Sequence, residues 1–279
     1  MSGGAAGRTP PSAAVPPATE PPVLLAETPV PGAVPRYEIP GWRDRFGVVA
    51  GITARGSGPG PGFDLGLWTR QPVEEVMGRW REFRGAEPGF RAFVMAHQVH
   101  GTLVAAHSGP GGWIILEGID GHVTAEAGTL LLVTVADCIP VYLVAPRARA
   151  VALLHAGWRG TAAGILSRGV ERLTGLAGAN PPDIVIHLGV GICGQCYEVG
   201  HEVMEGCGVA HAGPGPWRLD LRARLADEAR RLGVERVTTS PWCSAHDRPT
   251  FYSHRASGGT DGRMAAYLGV LPAPAAAGR

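Results

Sequence analysis

Three stretches of this chain end an apolar run on a residue able to bind a metal. AHQVHG carries His97 and His100, VADC carries Asp137 and Cys138, and LLHAG carries His155. Cys138 lies 38 residues after His100 and 17 before His155, unlike the close ligand pairs of a zinc finger. Neighbouring strands of a sheet can bring such distant ends together. A thiolate with two imidazoles supplies three protein ligands and leaves a fourth position for water or substrate, the pattern of a reactive ion rather than a structural one. His97 and His100 face opposite sides of a regular strand. His100 precedes Gly101, where the chain can turn, so the expected ligands are His100, Cys138 and His155. The expected ion is Zn2+, with copper the lesser alternative. Asp137 alternates away from Cys138 on a strand; it reads either as a carboxylate receiving an imidazole or backbone hydrogen bond or as a turn residue.

The run VALLHAGWRG (151–160) passes abruptly from apolar residues to His155, Trp158 and Arg159. Arg55 follows GITA and leads into the glycine-rich GSGPGPGF, while Arg255 and Arg263 bracket ASGGTDG. Arginine beside flexible glycine suits bidentate clamping of phosphate or carboxylate. The first amides of a helix expected after Gly160 would add to such a site. Trp158, Phe63, Tyr197 and Phe251 are candidates for a stacking wall against a planar base.

Two motifs imitate other chemistries. GVGICG (189–194) matches the glycine pattern of a dinucleotide site, but no clear amphipathic helix follows, and Glu205 and Asp220 are poorly placed to receive a ribose. CGQC (193–196) has the spacing of half a metal site or a redox pair. Cys207 and Cys243 do not form a second close pair, so the segment reads as a loop near the cleft.

These residues need strands to carry them. Apolar runs at 47–53, 92–99, 102–108, 129–137, 140–146, 150–155 and 183–191 predict strands, with the third pairing to the second across a turn at Gly101. Helices are predicted at 71–85, at 161–175 despite internal glycines, and from an N-cap at Asp220 to a stop at Gly233. Strands outnumber helices and alternate with them in the second half. The fold class is α+β: a mixed α/β body with layered mixed β-sheets flanked by helices. A flexible proline- and glycine-rich arm is expected over 1–35, a single domain over 36–271 and a loose tail over 272–279.

The composition sets the remaining bounds. The chain has 279 residues, is 45% hydrophobic and 18% charged, and carries a net charge of +1. No basic stretch interleaved with aromatics appears, which argues against nucleic acid as a partner. No apolar run reaches the length of a membrane span, and the N-terminal residues lack the apolar region of a secretory signal. Five cysteines, an odd number with no export signal, point to a reducing compartment, with the cytoplasm as the expected location. No oligomeric state is legible.

AHQVHG, TVADCIPVYL, LLHAGWRGTAAGIL, GVGICGQCYEVG and FYSHRASGGTDGRMAAYLG together resemble the multicopper polyphenol oxidoreductase, or laccase-domain, family. That family is now regarded as purine nucleoside phosphorylase-like and is also discussed as peptidoglycan-editing factors. The resemblance implies two packed subdomains and zinc held by His100, Cys138 and His155. It implies small-molecule partners: phosphate and a purine nucleoside (adenosine, inosine, guanosine or methylthioadenosine), with deamination of adenosine in some members. For phosphorolysis Arg55 and Arg159 are the candidates to hold phosphate, Arg263 a weaker one. For deamination Asp137 and Asp120 are the candidate acids. A copper-dependent polyphenol oxidase and a cysteine hydrolase or amidase using Cys138 are the alternatives. The chain departs from the family pattern at Asp64 in FDLGL, at CGQC, at Leu225 and in HRASGGTDGR.

Overall fold

The computed structural model describes residues 22–57, 62–109 and 111–272. Two seven-stranded sheets form its centre. The first runs, edge to edge, through Val23–Leu24, Arg236–Thr239, Val185–Leu188, Ile139–Ala145, Ala150–Ala156, Gly121–Thr124 and Val104–Ala106. The second runs through Thr28–Val30, Arg36–Glu38, Val48–Thr53, Met264–Val270, Thr129–Val135, Ala92–His97 and Gly112–Glu117. Both sheets mix parallel and antiparallel pairs.

Side-chain alternation explains why the central strands are apolar throughout. Tyr142 and Val144 pack between the sheets with Val151 and Leu153, against Val94, Leu131 and Val133 of the facing sheet. The intervening Val141 and Leu143 turn outward to Ile165, Leu166 and Leu173 of helix Ile165–Ala177 and to Leu225 of helix Leu221–Arg231. On the far side Leu130 and Leu132 meet Val76, Trp80 and Phe83 of helix Val73–Ala86. Strands buried on both faces lose the polar half of their period-two pattern. The result is four layers: helices, sheet, sheet, helix.

Several expectations need correction. Val104–Ala106 does not return to Ala92–His97; it crosses to the other sheet and pairs in parallel with Gly121–Thr124. The helix expected over 161–175 is two helices, Trp158–Ala162 and Ile165–Ala177, divided at Gly164, whose φ of 87° places it in the left-handed region. Gly160 itself lies inside the first of these helices, so the expected helix N-terminus directly after Gly160 is not formed. Helix Leu221–Arg231 starts as expected, the Asp220 carboxylate accepting from the backbone N–H groups of Arg222 and Ala223.

Part of the stretch expected as a flexible arm over 1–35 is built into the sheets. Val23–Leu24 and Thr28–Val30 each add an edge strand. Between them Glu27 is fully buried, with His187 at 3.0 Å and the Ser240 hydroxyl donating to it at 2.7 Å. Residues 1–21, and the tail from residue 273, lie outside the described residues. No helix among the described residues is long and apolar enough to cross a membrane.

Candidate metal centre and substrate cleft

Register alone brings two of the expected ligands together. Strands Ile139–Ala145 and Ala150–Ala156 run antiparallel with Pro140 opposite His155, so Cys138, one step before the first strand, shares a sheet end with His155. The third ligand arrives from the facing sheet. Strand Ala92–His97 stops at His97, and the chain turns through His100 at a φ of 61°. The break between the two histidines lets His100 face inward.

Asp120 holds this junction. It immediately precedes strand Gly121–Thr124, and its carboxylate accepts from three successive backbone N–H groups, those of Val99, His100 and Gly101, at 3.2, 2.9 and 2.7 Å. The same carboxylate lies 2.9 Å from His155 Nδ1. That contact fixes the imidazole orientation and leaves Nε2 facing the site. Burial raises the Asp120 carboxyl, yet the His155 contact and the backbone donors outweigh it and hold the acid below its usual range.

One donor atom each from His100, Cys138 and His155 lies within 4.8 Å of the other two. Burial pushes the Cys138 thiol up, but His155 and hydrogen bonding from both imidazoles bring it down to about 6. Burial lowers His155, and the Cys138 sulfur and Asp120 more than reverse it, raising the ring. Gly157 gives the cluster its room: a Cβ there would stand 2.9 Å from both Cys138 Sγ and His100 Cδ2. The three residues fit a transition metal, because two imidazoles and one easily ionised thiol can each reach an ion at about 2.0–2.3 Å, and one imidazole is already fixed by a carboxylate.

All three ligands line one wall of a cleft of about 500 Å³. Trp158, Arg159, Tyr197, Arg255, Arg263 and His97 border it as well. The arginines differ. Arg159 is exposed, lies over the Trp158 ring with its Cζ 4.5 Å from the centroid, and has no hydrogen-bonding or ionic side-chain partner among the described residues. Arg255 donates to the Glu198 carbonyl and stacks on Tyr197 at 5.0 Å. Arg263 donates to the carbonyls of Asp261 and Gly262 at 2.9 and 3.0 Å, and its own N–H is held by Asp64 at 2.7 Å. Asp64, one of the departures from the family pattern, thus fixes Arg263 just before strand Met264–Val270.

Arg55 is not brought to this cleft. It pairs with Asp261 at 2.7 Å, donates to the Arg248 carbonyl at 3.2 Å and stacks on Tyr252 at 4.2 Å. Asp137 does line the cleft, with a φ of 89°, and its carboxylate is engaged by three donors. It accepts from the hydroxyls of Ser244 and Ser253, each at 2.7 Å, and from the Arg255 N–H at 2.6 Å. Those contacts tie three loops together. Phe63 and Phe251 lie in the core, leaving Trp158 and Tyr197 as the aromatic walls. Asp120 had a partial signal as an acidic residue at a strand start; Ser244 and Ser253 had none.

The glycines of GVGICG serve packing. A Cβ at Gly189 would meet Tyr142 at 2.7 Å, and one at Gly191 would meet the Asp137 carbonyl at 2.8 Å. CGQC is different. Its sequence spacing offers no second close pair, but in the fold Cys243 and His246 join Cys193 and Cys196, their donor atoms all within 4.8 Å of one another.

A family model described as multi-copper polyphenol oxidoreductase laccase matches residues 50–271. The chain is 38% identical over 227 residues to a purine nucleoside phosphorylase of Deinococcus radiodurans, covering 78% of this chain and 86% of that protein. It is 33% identical over 248 residues to purine nucleoside phosphorylase YlmD of Geobacillus stearothermophilus, covering 80% and 90%. The crystal structure of that YlmD superposes with a TM-score of 0.79 at 30% identity, covering 88% of this chain and 100% of the other. The crystal structure of a Bacillus licheniformis hypothetical protein, YfiH, superposes with a TM-score of 0.78 at 25% identity, covering 85% and 97%.

The expectation of zinc is corrected by these findings. The matching family is described by its copper chemistry, and the second cluster holds three thiols beside one imidazole. Soft sulfur donors suit Cu(I), and copper heads the divalent affinity order for mixed N and S sites. Together these favour copper over zinc.

Proposed function

Because the chain belongs to the family described as multi-copper polyphenol oxidoreductase laccase, whose layered fold it shares with YlmD and YfiH, we propose that it is a metal-dependent purine nucleoside phosphorylase. One observation carries this reading: a three-ligand metal set and an unpaired arginine face the same cleft. The similarity to the two named phosphorylases supports it.

In this reaction phosphate attacks the sugar C1′, the glycosidic bond breaks, and its electron pair leaves with the purine. Arg159 binds the phosphate. Its guanidinium has no anionic partner among the described residues, and its stacking on Trp158 holds it in place. Trp158 and Tyr197 flank the planar base, and Arg263, which also lines the cleft, offsets charge as the bond breaks. His100, Cys138 and His155 hold the ion, which when bound supplies positive charge beside the reacting groups. Asp120 keeps His155 oriented, and Asp137 fixes the loops carrying Ser244, Ser253 and Arg255. Arg55, expected to hold phosphate, serves instead to pin the Asp261 loop.

A phosphate-dependence assay tests the proposal. With inosine or adenosine, purine and ribose 1-phosphate form in equal amounts only when phosphate is present. Purine release independent of phosphate contradicts the reading, and so does release of ammonia without glycosidic cleavage.

The second reading is a copper-dependent phenol oxidase, favoured by the family's description and the soft second cluster. It predicts oxygen uptake with a polyphenol by copper-loaded protein and no phosphate requirement. The Asp120–His155–Cys138 chain also has the order of a cysteine hydrolase site; there a covalent acyl-thioester on Cys138 would replace metal-dependent turnover.

A further inference from the structure

The strand Val185–Leu188 leaves its sheet and passes behind the cleft. Ile192 donates its N–H to the Asp137 carbonyl at 2.9 Å, and Gly191 forms an isolated bridge to Cys243. A tight turn follows, with the N–H groups of Cys196 and Tyr197 both donating to the Cys193 carbonyl at 3.0 Å. The two thiols of CGQC therefore lie side by side. Opposite them, a second turn runs from Cys243 to Asp247, closed by the Asp247 N–H to the Cys243 carbonyl at 2.8 Å and by the Cys243 N–H to the Asp247 carboxylate at 2.9 Å. That turn carries His246.

The turns face each other through their donor atoms. The Cys193 N–H points at Cys243 Sγ at 3.3 Å, and Cys193 Sγ lies 3.7 Å from His246 Nδ1. The cysteines are all free thiols, and one donor atom from each of the four residues lies within 4.8 Å of the others. Backbone N–H groups directed at sulfur are the hydrogen bonds that stabilise a ligating thiolate.

We propose that Cys193, Cys196, Cys243 and His246 form a second metal site, a closed one, that clamps the 191–197 loop to the 243–247 loop. Three sulfurs and one imidazole complete a tetrahedral shell and leave no position for substrate. The donor set takes a thiolate-seeking ion, Cu(I) among them. The clamp acts on the first site through its neighbours. Tyr197 and Ile192 line the cleft next to the first turn, and Ser244, within the second, holds the Asp137 carboxylate. The inference rests on these loops and is independent of the reaction proposed above.

Counting metal separates the two sites. Untagged full-length protein is reduced, loaded anaerobically with Cu(I), desalted and measured by elemental mass spectrometry. The expected contents are two ions per chain for wild type, one for Cys138→Ala, one for Cys193→Ser/Cys196→Ser, and none for the combined variant. Two ions retained after the double serine change would overturn the proposal, as would a wild-type content of one that Cys138→Ala abolishes. Should the double variant not fold, cobalt(II) titration of metal-free Cys138→Ala gives a second readout. One equivalent should produce the intense visible absorption of a tetrahedral thiolate site, and His246→Ala, altering an exposed residue, should weaken it. No thiolate-to-cobalt band, or a Cys193–Cys196 disulfide persisting under the reducing conditions, contradicts a metal clamp.

Discussion

The molecule carries two Cys/His clusters built in opposite ways. His100, Cys138 and His155 sit at the ends of sheet strands, three donors on the wall of a cleft. A buried carboxylate both orients one imidazole and holds the turn that presents the other. Cys193, Cys196, Cys243 and His246 sit on two loops, four donors with no carboxylate contact to the imidazole among the described residues. The first arrangement is prepared by the fold before any ion arrives and keeps a coordination position open. The second has little besides its own turns to hold it together, and four donors leave nothing open. Preorganisation with an open position suits turnover; a closed shell between loops suits cross-linking.

The largest effect that sharpens this contrast is expected from Cys138→Ala, which should reduce turnover to background and remove only the ion of the first site, read by product formation and metal content together. Asp120→Asn comes next. A neutral amide cannot match the carboxylate's acceptance from three N–H groups and an imidazole, so metal affinity or rate should fall by about 10–100-fold, the usual scale for a residue supporting a metal ligand. Chelator competition would measure the affinity. If the clusters were equivalent, Asp120→Asn would weaken both; the account has it weaken only the first.

Arg159→Ala and Arg55→Ala test which cation faces substrate. Losing a charged hydrogen bond to phosphate costs about 1.5–3 kcal/mol, so Arg159→Ala should lower kcat/KM for phosphate by roughly 10–100-fold while the melting temperature stays close to wild type. Arg55→Ala should do the reverse: it unpins Asp261 and lowers the melting temperature, while the KM for phosphate holds. An unchanged phosphate KM in Arg159→Ala would take phosphate away from that residue. The smallest effect on rate is expected from His246→Ala, which weakens a clamp behind the cleft and shows itself first in metal content and thermal midpoint.

Much of the first cluster was legible because each ligand ended an apolar strand, and sheet register converts such endings into proximity. The turn at His100 was signalled by Gly101 and by the mismatch of a three-residue spacing with strand alternation. The fold class was legible for the same reason: the runs at 129–137, 140–146 and 150–155 are dominated by apolar residues on both alternating faces, as strands covered on both sides require. Partner choice was not. Val104–Ala106 crosses to the other sheet, and nothing local to TLVAAHS distinguishes that from a hairpin. Nor could spacing reveal that Asp261 neutralises Arg55 across 206 residues or that Cys243 meets CGQC across a gap of about 50. Glu27 misled in the other direction: it sits in a proline-rich stretch with the composition of a flexible arm, yet is buried against His187 from the opposite part of the chain. Such long-range pairings depend on tertiary register, which a single sequence does not display.

The central claim is that an ion at His100, Cys138 and His155 serves a phosphate-dependent cleavage beside Arg159. The most direct measurement follows inosine turnover by wild-type and Cys138→Ala protein, across a phosphate series, with purine and ribose 1-phosphate quantified together. The account predicts matched yields that saturate with phosphate and vanish in the variant. Wild-type purine release that ignores phosphate, or a Cys138→Ala protein that turns over at the wild-type rate, would contradict it.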